Sequence, residues 1–166
     1  LMGGMTIAVQ DKGKVYYDNV KIAEDLRFCA IIPSFTLSTS EARAALPKSL
    51  TYGDAIFNIS RATLLVTALT NGNYDLMKHA CEDMLHQPYR SKLIPGYDDI
   101  IDKVKDLDCL GVFLSGAGPT IMAIIQNADN NFIPEMQIFL DLLKDQWTLK
   151  ELHLDNQGTE ISKACK

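Results

Sequence analysis

Nothing in this sequence approaches the ~18 consecutive apolar residues that a membrane-spanning helix needs. An excess of positive charge is missing as well: 16 Lys and Arg stand against 21 Asp and Glu, a net charge of −5. A nucleic-acid binder shows a basic field, so neither nucleic acid nor membrane is an expected partner. An anionic ligand would have to be caught by a few local arginines against the overall sign of the molecule. The cysteines Cys29, Cys81, Cys109 and Cys165 form no C-x-x-C pair and match no zinc spacing, so no metal site is expected. They read as reduced thiols packed as small hydrophobes in a cytoplasmic protein. Leu1-Met2-Gly3-Gly4 has neither the basic stretch nor the apolar core of a signal peptide. No internal repeat, low-complexity segment or linker divides the chain.

What is present suffices for one compact domain over residues 1–166, with 47% hydrophobic and 22% charged residues. The order of elements is informative. Met5 to Val9 is strand-like, Gln10-Asp11-Lys12-Gly13 supplies turn residues, and Lys14-Val15-Tyr16-Tyr17 completes a hairpin. An opening of Gly3-Gly4 followed at once by a strand reads as the middle of a longer protein. Leu26 to Ile32, closed by Pro33, predicts a buried strand. Helical periodicity then takes over. Thr51 to Asp54 resembles a capping box ahead of Ile56, Ile59, Ala62, Thr63, Val66 and Leu69, and Asn71-Gly72 ends that helix. A second helix is expected to carry Leu76, Met77, Ala80 and Met84 and to stop before Pro88. A third carries Tyr97, Ile100, Ile101 and Val104. Strands return at Gly111 to Leu114 and Thr120 to Ile125. A helix near Pro134 with Met136, Phe139, Leu140 and Leu143 follows, then a strand over Thr148 to Leu154. The tail from Gly158 to Ile161 is expected to pair back on it. Strands and helices come in blocks, which predicts an α+β fold with helices packed on one face of an antiparallel sheet.

Three clusters could carry chemistry. Ser34 to Arg43 gathers hydroxyls and one arginine just past a buried strand, with Ser38 or Thr39 placed to cap the turn that holds Arg43. Taken alone, this is equally a helix cap beside a solvated arginine. His86-Gln87-Pro88-Tyr89-Arg90 presents at its end a planar guanidinium fork suited to carboxylate or phosphate. A helix-terminal arginine facing the dipole would look the same. Ser115-Gly116-Ala117-Gly118-Pro119 separates two apolar strands, and its glycines let backbone N–H groups approach an anion. It lacks the third glycine of a dinucleotide-binding turn, and a plain tight loop fits nearly as well.

Together these segments resemble a known family. Leu37-Ser38-Thr39-Ser40-Glu41-Ala42-Arg43-Ala44-Ala45-Leu46-Pro47 resembles a signature of bacterial homoserine kinases. His86-Gln87-Pro88-Tyr89-Arg90, with Ile94-Pro95 after it, resembles another. Leu114 to Thr120 is similar to the third signature of the wider superfamily that includes galactokinase, mevalonate kinase and phosphomevalonate kinase. The resemblance implies transfer of the ATP γ-phosphate to the hydroxyl of L-homoserine, a step of threonine biosynthesis, with Mg2+. It implies that Arg43 and Arg90 hold the substrate α-carboxylate with Thr39 beside it. Gly116 and Gly118 would line the junction with the nucleotide. It further implies a ferredoxin-like sandwich on a four-stranded antiparallel sheet and a homodimer.

The superfamily's phosphate loop has no counterpart in these residues. The ligands of ATP and Mg2+ are therefore expected mainly in an N-terminal kinase domain that would be the chain's main partner, and residues 1–32 are expected to include strands of the junction with it. Phosphoryl transfer rests on positioning and charge neutralisation around the phosphates, so this chain alone is expected to be inactive. The alternative from another class is a non-catalytic α+β module for small amino-acid binding or dimerisation.

Overall fold

The computed structural model describes residues 3–22 and 24–160. Leu1, Cys165 and the Ile161 end of the expected tail lie outside the described residues. The expected hairpin is β1 (Met5–Asp11) and β2 (Lys14–Val20), a two-stranded sheet in antiparallel register with Asp11 opposite Lys14. Its two-residue connection, Lys12-Gly13, has φ of 47° and 79°. Positive φ at both positions is what a hairpin turn matched to strand twist requires, and glycine adopts it without penalty.

The main sheet has four strands in the order β4-β5-β3-β6, with every neighbouring pair antiparallel. They are β3 (Leu26–Pro33), β4 (Gly111–Leu114), β5 (Ile121–Gln126) and β6 (Trp147–Leu152). β3 is flanked on both sides and both its faces are covered, which explains the apolar run from Phe28 to Ile32; Arg27 near its start pairs with Glu151. Cys29 and Ile31 turn to one face, where their cross-strand partners Ala123 and Ile121 join the larger core. Two helices close that face. From α5 (Tyr97–Asp106) come Tyr97, Ile100, Ile101 and Val104; from α6 (Phe132–Asp141) come Phe132, Met136 and Leu140. Both sets repeat at the helical period.

The reverse face carries a smaller cluster. Leu26 and Ile124 pack there against Ala68 and Leu69 of α2 (Tyr52–Asn71) and Met77 of α3 (Met77–Ala80). The sheet is therefore covered by helices on both sides, the second layer adding to the expected one. α2 begins as the sequence indicates. Thr51 Oγ1 accepts the Asp54 N–H at 3.1 Å, and Gly72 ends the helix in the left-handed conformation.

Two elements differ from expectation. The second helix breaks at Cys81 instead of running toward Pro88, because the Asp83 carboxylate accepts the N–H groups of Leu85, His86 and Gln87. A short acidic side chain that satisfies local N–H groups competes directly with helix propagation. Pro88 instead sits inside the first turn of α4 (Gln87–Arg90), where its missing donor is harmless. The last strand stops at Leu152. Gly158 to Glu160 form no strand, and the segment after β6 is held at Asp155, whose carbonyl accepts the Gly4 N–H.

Cys29, Cys81 and Cys109 are free and buried, as expected of packing thiols, and burial pushes the Cys29 and Cys81 thiols up to about 12. Cys81 also dictates the residue at the start of β4. A Cβ at Gly111 would stand 2.6 Å from its Sγ. Overpacking of this kind costs about 1–3 kcal/mol. Gly111→Ala is expected to lower the stability measured by urea denaturation by that amount. Adding Cys81→Ala should give a double variant more stable than the two single losses summed.

Candidate active site

The three clusters of the sequence meet through one side chain. Arg90 closes α4, and its Nη1–H donates to the Gly116 carbonyl at 2.8 Å. Its Nε–H donates to the Ala42 carbonyl at 3.3 Å. Ala42 is buried near the end of α1 (Thr39–Ala44), so its carbonyl is among those a helix leaves without an internal partner. A cation at that end also faces the negative pole of the helix. An arginine carries five N–H donors, and these two contacts leave three of them for a ligand.

α1 supplies the neighbouring groups. Ser38 is its N-cap, and the capping box is complete: Ser38 Oγ accepts the Glu41 N–H at 3.1 Å, and Glu41 Oε2 accepts the Ser38 N–H at 3.1 Å. The Ser38 hydroxyl and N–H hold the Glu41 carboxyl below its ordinary range. Of the two hydroxyls weighed for the cap, Ser38 takes the role, and Thr39 is the first helical residue, exposed. Arg43 is exposed one residue beyond the carbonyl that Arg90 touches. The structure thus brings Arg90, Gly116 and the backbone beside Arg43 together. Thr39 and Gly118 stand on the same two segments without touching Arg90.

The glycine turn between β4 and β5 is tight. The Ser115 N–H donates to the Thr120 carbonyl at 2.9 Å, and the Gly118 N–H to the Ser115 carbonyl at 3.0 Å. Gly118 therefore spends its donor within the loop. The N–H groups of Gly116 and Ala117 have no acceptor among the described residues. Successive unpaired N–H groups in a turn form a concave site for an anion.

Sequence reasoning missed Gln87 and Asp83. Gln87 Oε1 accepts the Leu114 N–H at 2.8 Å and the Tyr97 hydroxyl at 3.2 Å, and its Nε2 donates to the Cys81 carbonyl at 3.1 Å. It ties the start of α4 to the strand that enters the glycine turn. Asp83 is poorly exposed. Burial alone would raise its carboxyl, but donors from Gln87, Asn58, His86 and Leu85 outweigh that and hold it below the ordinary range. An aspartate four residues ahead of Gln87-Pro88 is a turn-initiating signal that could have identified it. A cavity of about 430 Å³ runs past Asn58, Arg61, Asp83, Arg90 and Gly116, so α2 also faces the arginine.

Residues 65–141 match the family model described as GHMP kinases C terminal. A Clostridium botulinum protein named homoserine kinase is 49% identical over 160 residues, 96% of this chain and 54% of that protein. Residues 65–141 thus carry the C-terminal domain of the GHMP kinases. A Clostridium beijerinckii homoserine kinase is 45% identical over 166 residues, covering 100% of this domain and 56% of its own length. The crystal structure of homoserine kinase from Cytophaga hutchinsonii superposes with a TM-score of 0.86 at 25% identity, over 94% of this chain and 50% of that one. The chain thus spans about half the length of the curated relatives it matches.

The two glycines of the turn make different demands within this kinase domain. Both have positive φ, 56° at Gly116 and 85° at Gly118. A Cβ at Gly116 meets open space, whereas one at Gly118 would lie 3.1 Å from Leu114 Cδ1 and 3.3 Å from Ile94 Cδ1. Gly116→Ala should therefore cost about 1 kcal/mol of backbone strain alone. Gly118→Ala adds crowding against two buried leucine and isoleucine side chains and should lose about 2–4 kcal/mol. Thermal melting of the two variants side by side checks the order; equal losses would contradict it.

Proposed function

We propose that this domain is the substrate-binding half of a homoserine kinase, which moves the γ-phosphate of ATP to the side-chain hydroxyl of L-homoserine in threonine biosynthesis. The observation that carries the reading is the position of Arg90. It bridges the α1 segment and the glycine turn, in a chain whose relatives bear that name at 45–49% identity. L-Homoserine is a small zwitterion with a hydroxyl at its far end. Arg90 and Arg43 grip its carboxylate, Thr39 lies beside that group, and Gly116 and Gly118 shape the turn toward which the hydroxyl points. Fixing the acid end on rigid segments converts encounter with the phosphoryl group into a positioned reaction.

The glycine turn offers a phosphate the Gly116 and Ala117 N–H groups, which have no acceptor among the described residues. Among the described residues no three of His, Cys, Asp or Glu stand together as a cation site. Bound ATP with Mg2+ supplies the transferable phosphoryl group and neutralises its charge. Groups outside this domain hold most of that pair, so the domain alone transfers no phosphate. The hairpin β1–β2, with Ile7, Val9, Val15, Tyr16 and Tyr17 exposed, forms the junction with the nucleotide-binding part. The enzyme works in the cytoplasm.

A bidentate arginine–carboxylate contact shielded from water contributes about 1.5–3 kcal/mol. In the full-length enzyme, Arg43→Ala and Arg90→Ala are each expected to raise KM for homoserine about 10- to 150-fold. KM for ATP should stay within about twofold. Steady-state kinetics with each substrate varied in turn provides the check. Equal effects on both substrates would refute the carboxylate assignment.

A further inference from the structure

Arg90 can serve a ligand only if the short helix that bears it is fixed, and α4 has no capping side chain of its own. The restraint comes from upstream. The Asp83 carboxylate accepts the His86 N–H at 2.6 Å and the Gln87 N–H at 2.5 Å, both on Oδ2. The His86 carbonyl in turn accepts the Arg90 N–H at 3.0 Å. Asp83 is itself anchored from α2. Asn58 Nδ2 donates to Asp83 Oδ1 at 2.5 Å, and Asn58 Oδ1 accepts the Met84 N–H at 2.8 Å. A continuous chain of hydrogen bonds therefore runs from the long helix through one carboxylate to the backbone of Arg90.

That carboxylate borders the same cavity as Arg90 and Gly116. An aspartate there would repel an incoming carboxylate if its charge were bare. Here the charge is met by three backbone N–H groups, the Asn58 amide and, at 3.3 Å, His86 Nδ1, so it orders the turn without opposing the ligand. Its neighbour Glu82 is likewise occupied, its Oε2 accepting Arg61 Nη2–H at 2.9 Å.

We propose that Asn58 and Asp83 are positioning residues for the substrate carboxylate: they set the placement of Arg90, and through it the affinity for homoserine, without touching the ligand. The proposal rests on the homoserine kinase reading above, and its test separates the two. In Asp83→Asn, the new amide faces the amide of Asn58, donor against donor, and one charge-assisted contact to the α4 backbone is weakened. The exchanged pair combines Asn58→Asp with Asp83→Asn. Its carboxylate, now at position 58, can accept from both the Met84 N–H and the amide at position 83. The carbonyl oxygen of that amide can still accept the His86 and Gln87 N–H groups. The exchange restores the network, apart from the Leu85 N–H contact, with its charge moved onto α2.

The measurement is steady-state kinetics of the full-length enzyme carrying Asp83→Asn, Asn58→Ala, the exchanged pair, and Arg90→Ala as reference. Asp83→Asn is expected to raise KM for homoserine about tenfold, with kcat and KM for ATP within about twofold. Asn58→Ala leaves the backbone contacts of Asp83 in place and should raise it about threefold, so the test survives if the first variant fails to fold. The exchanged pair should return KM to within about threefold of the parent. An unchanged KM in Asp83→Asn and Asn58→Ala, beside a raised KM in Arg90→Ala, would overturn the positioning role alone. So would a kcat loss in both variants that the exchanged pair does not repair. If Arg90→Ala itself leaves KM for homoserine unchanged, the functional reading falls first.

Discussion

The site depends on one guanidinium that spans two carbonyls, Ala42 at the end of α1 and Gly116 in the turn between β4 and β5. A carbonyl at a helix end and a carbonyl in a tight turn are both short of partners, and a planar cation with several donors can satisfy them together. The contact joins parts of the chain separated by 48 and 26 residues. Without it, α1, α4 and the glycine turn would be three surface features near a sheet. With it, they form one continuous edge.

The fold serves that contact. Strands β3 and β5, buried on both faces, form a stiff middle layer, and α5 and α6 seal the larger core. The glycine turn is the direct link between β4 and β5, so its geometry is fixed by the Leu114–Ile121 pairing at its base. Gln87 fastens the start of α4 to Leu114, the last residue of β4 before the turn. The arginine and the carbonyl it reaches are thus referenced to the same strand. Groups on such a scaffold are held within a narrow positional tolerance.

Much of this was legible in the sequence, for local reasons. The Lys12-Gly13 turn, the Thr51 cap, the Gly72 stop and the limits of β4 follow from residue chemistry within a few positions, and each is found where the pattern put it. The apolar run of β3 was equally plain. Ser38, rather than Thr39, became the cap because Glu41 lies three residues on and completes the reciprocal pair. What escaped the sequence was non-local. The anchoring of Asp83 depends on its meeting Asn58, 25 residues away, and no periodicity encodes that meeting. The second helical layer depends on α2 returning to the sheet through Leu65, Ala68 and Leu69, toward its end. The resemblance named Arg43 and Arg90 as partners, but only the Ala42 contact gave their segments a shared place.

The most direct test of the central claim is a crystal structure of the full-length enzyme with L-homoserine bound. The account requires the ligand carboxylate within about 3.2 Å of Arg90 guanidinium nitrogens, with Arg43 on its other side. The Arg90–Gly116 bridge should still be closed. A carboxylate seated elsewhere, with Arg90 turned to solvent and the Gly116 carbonyl uncovered, would contradict it.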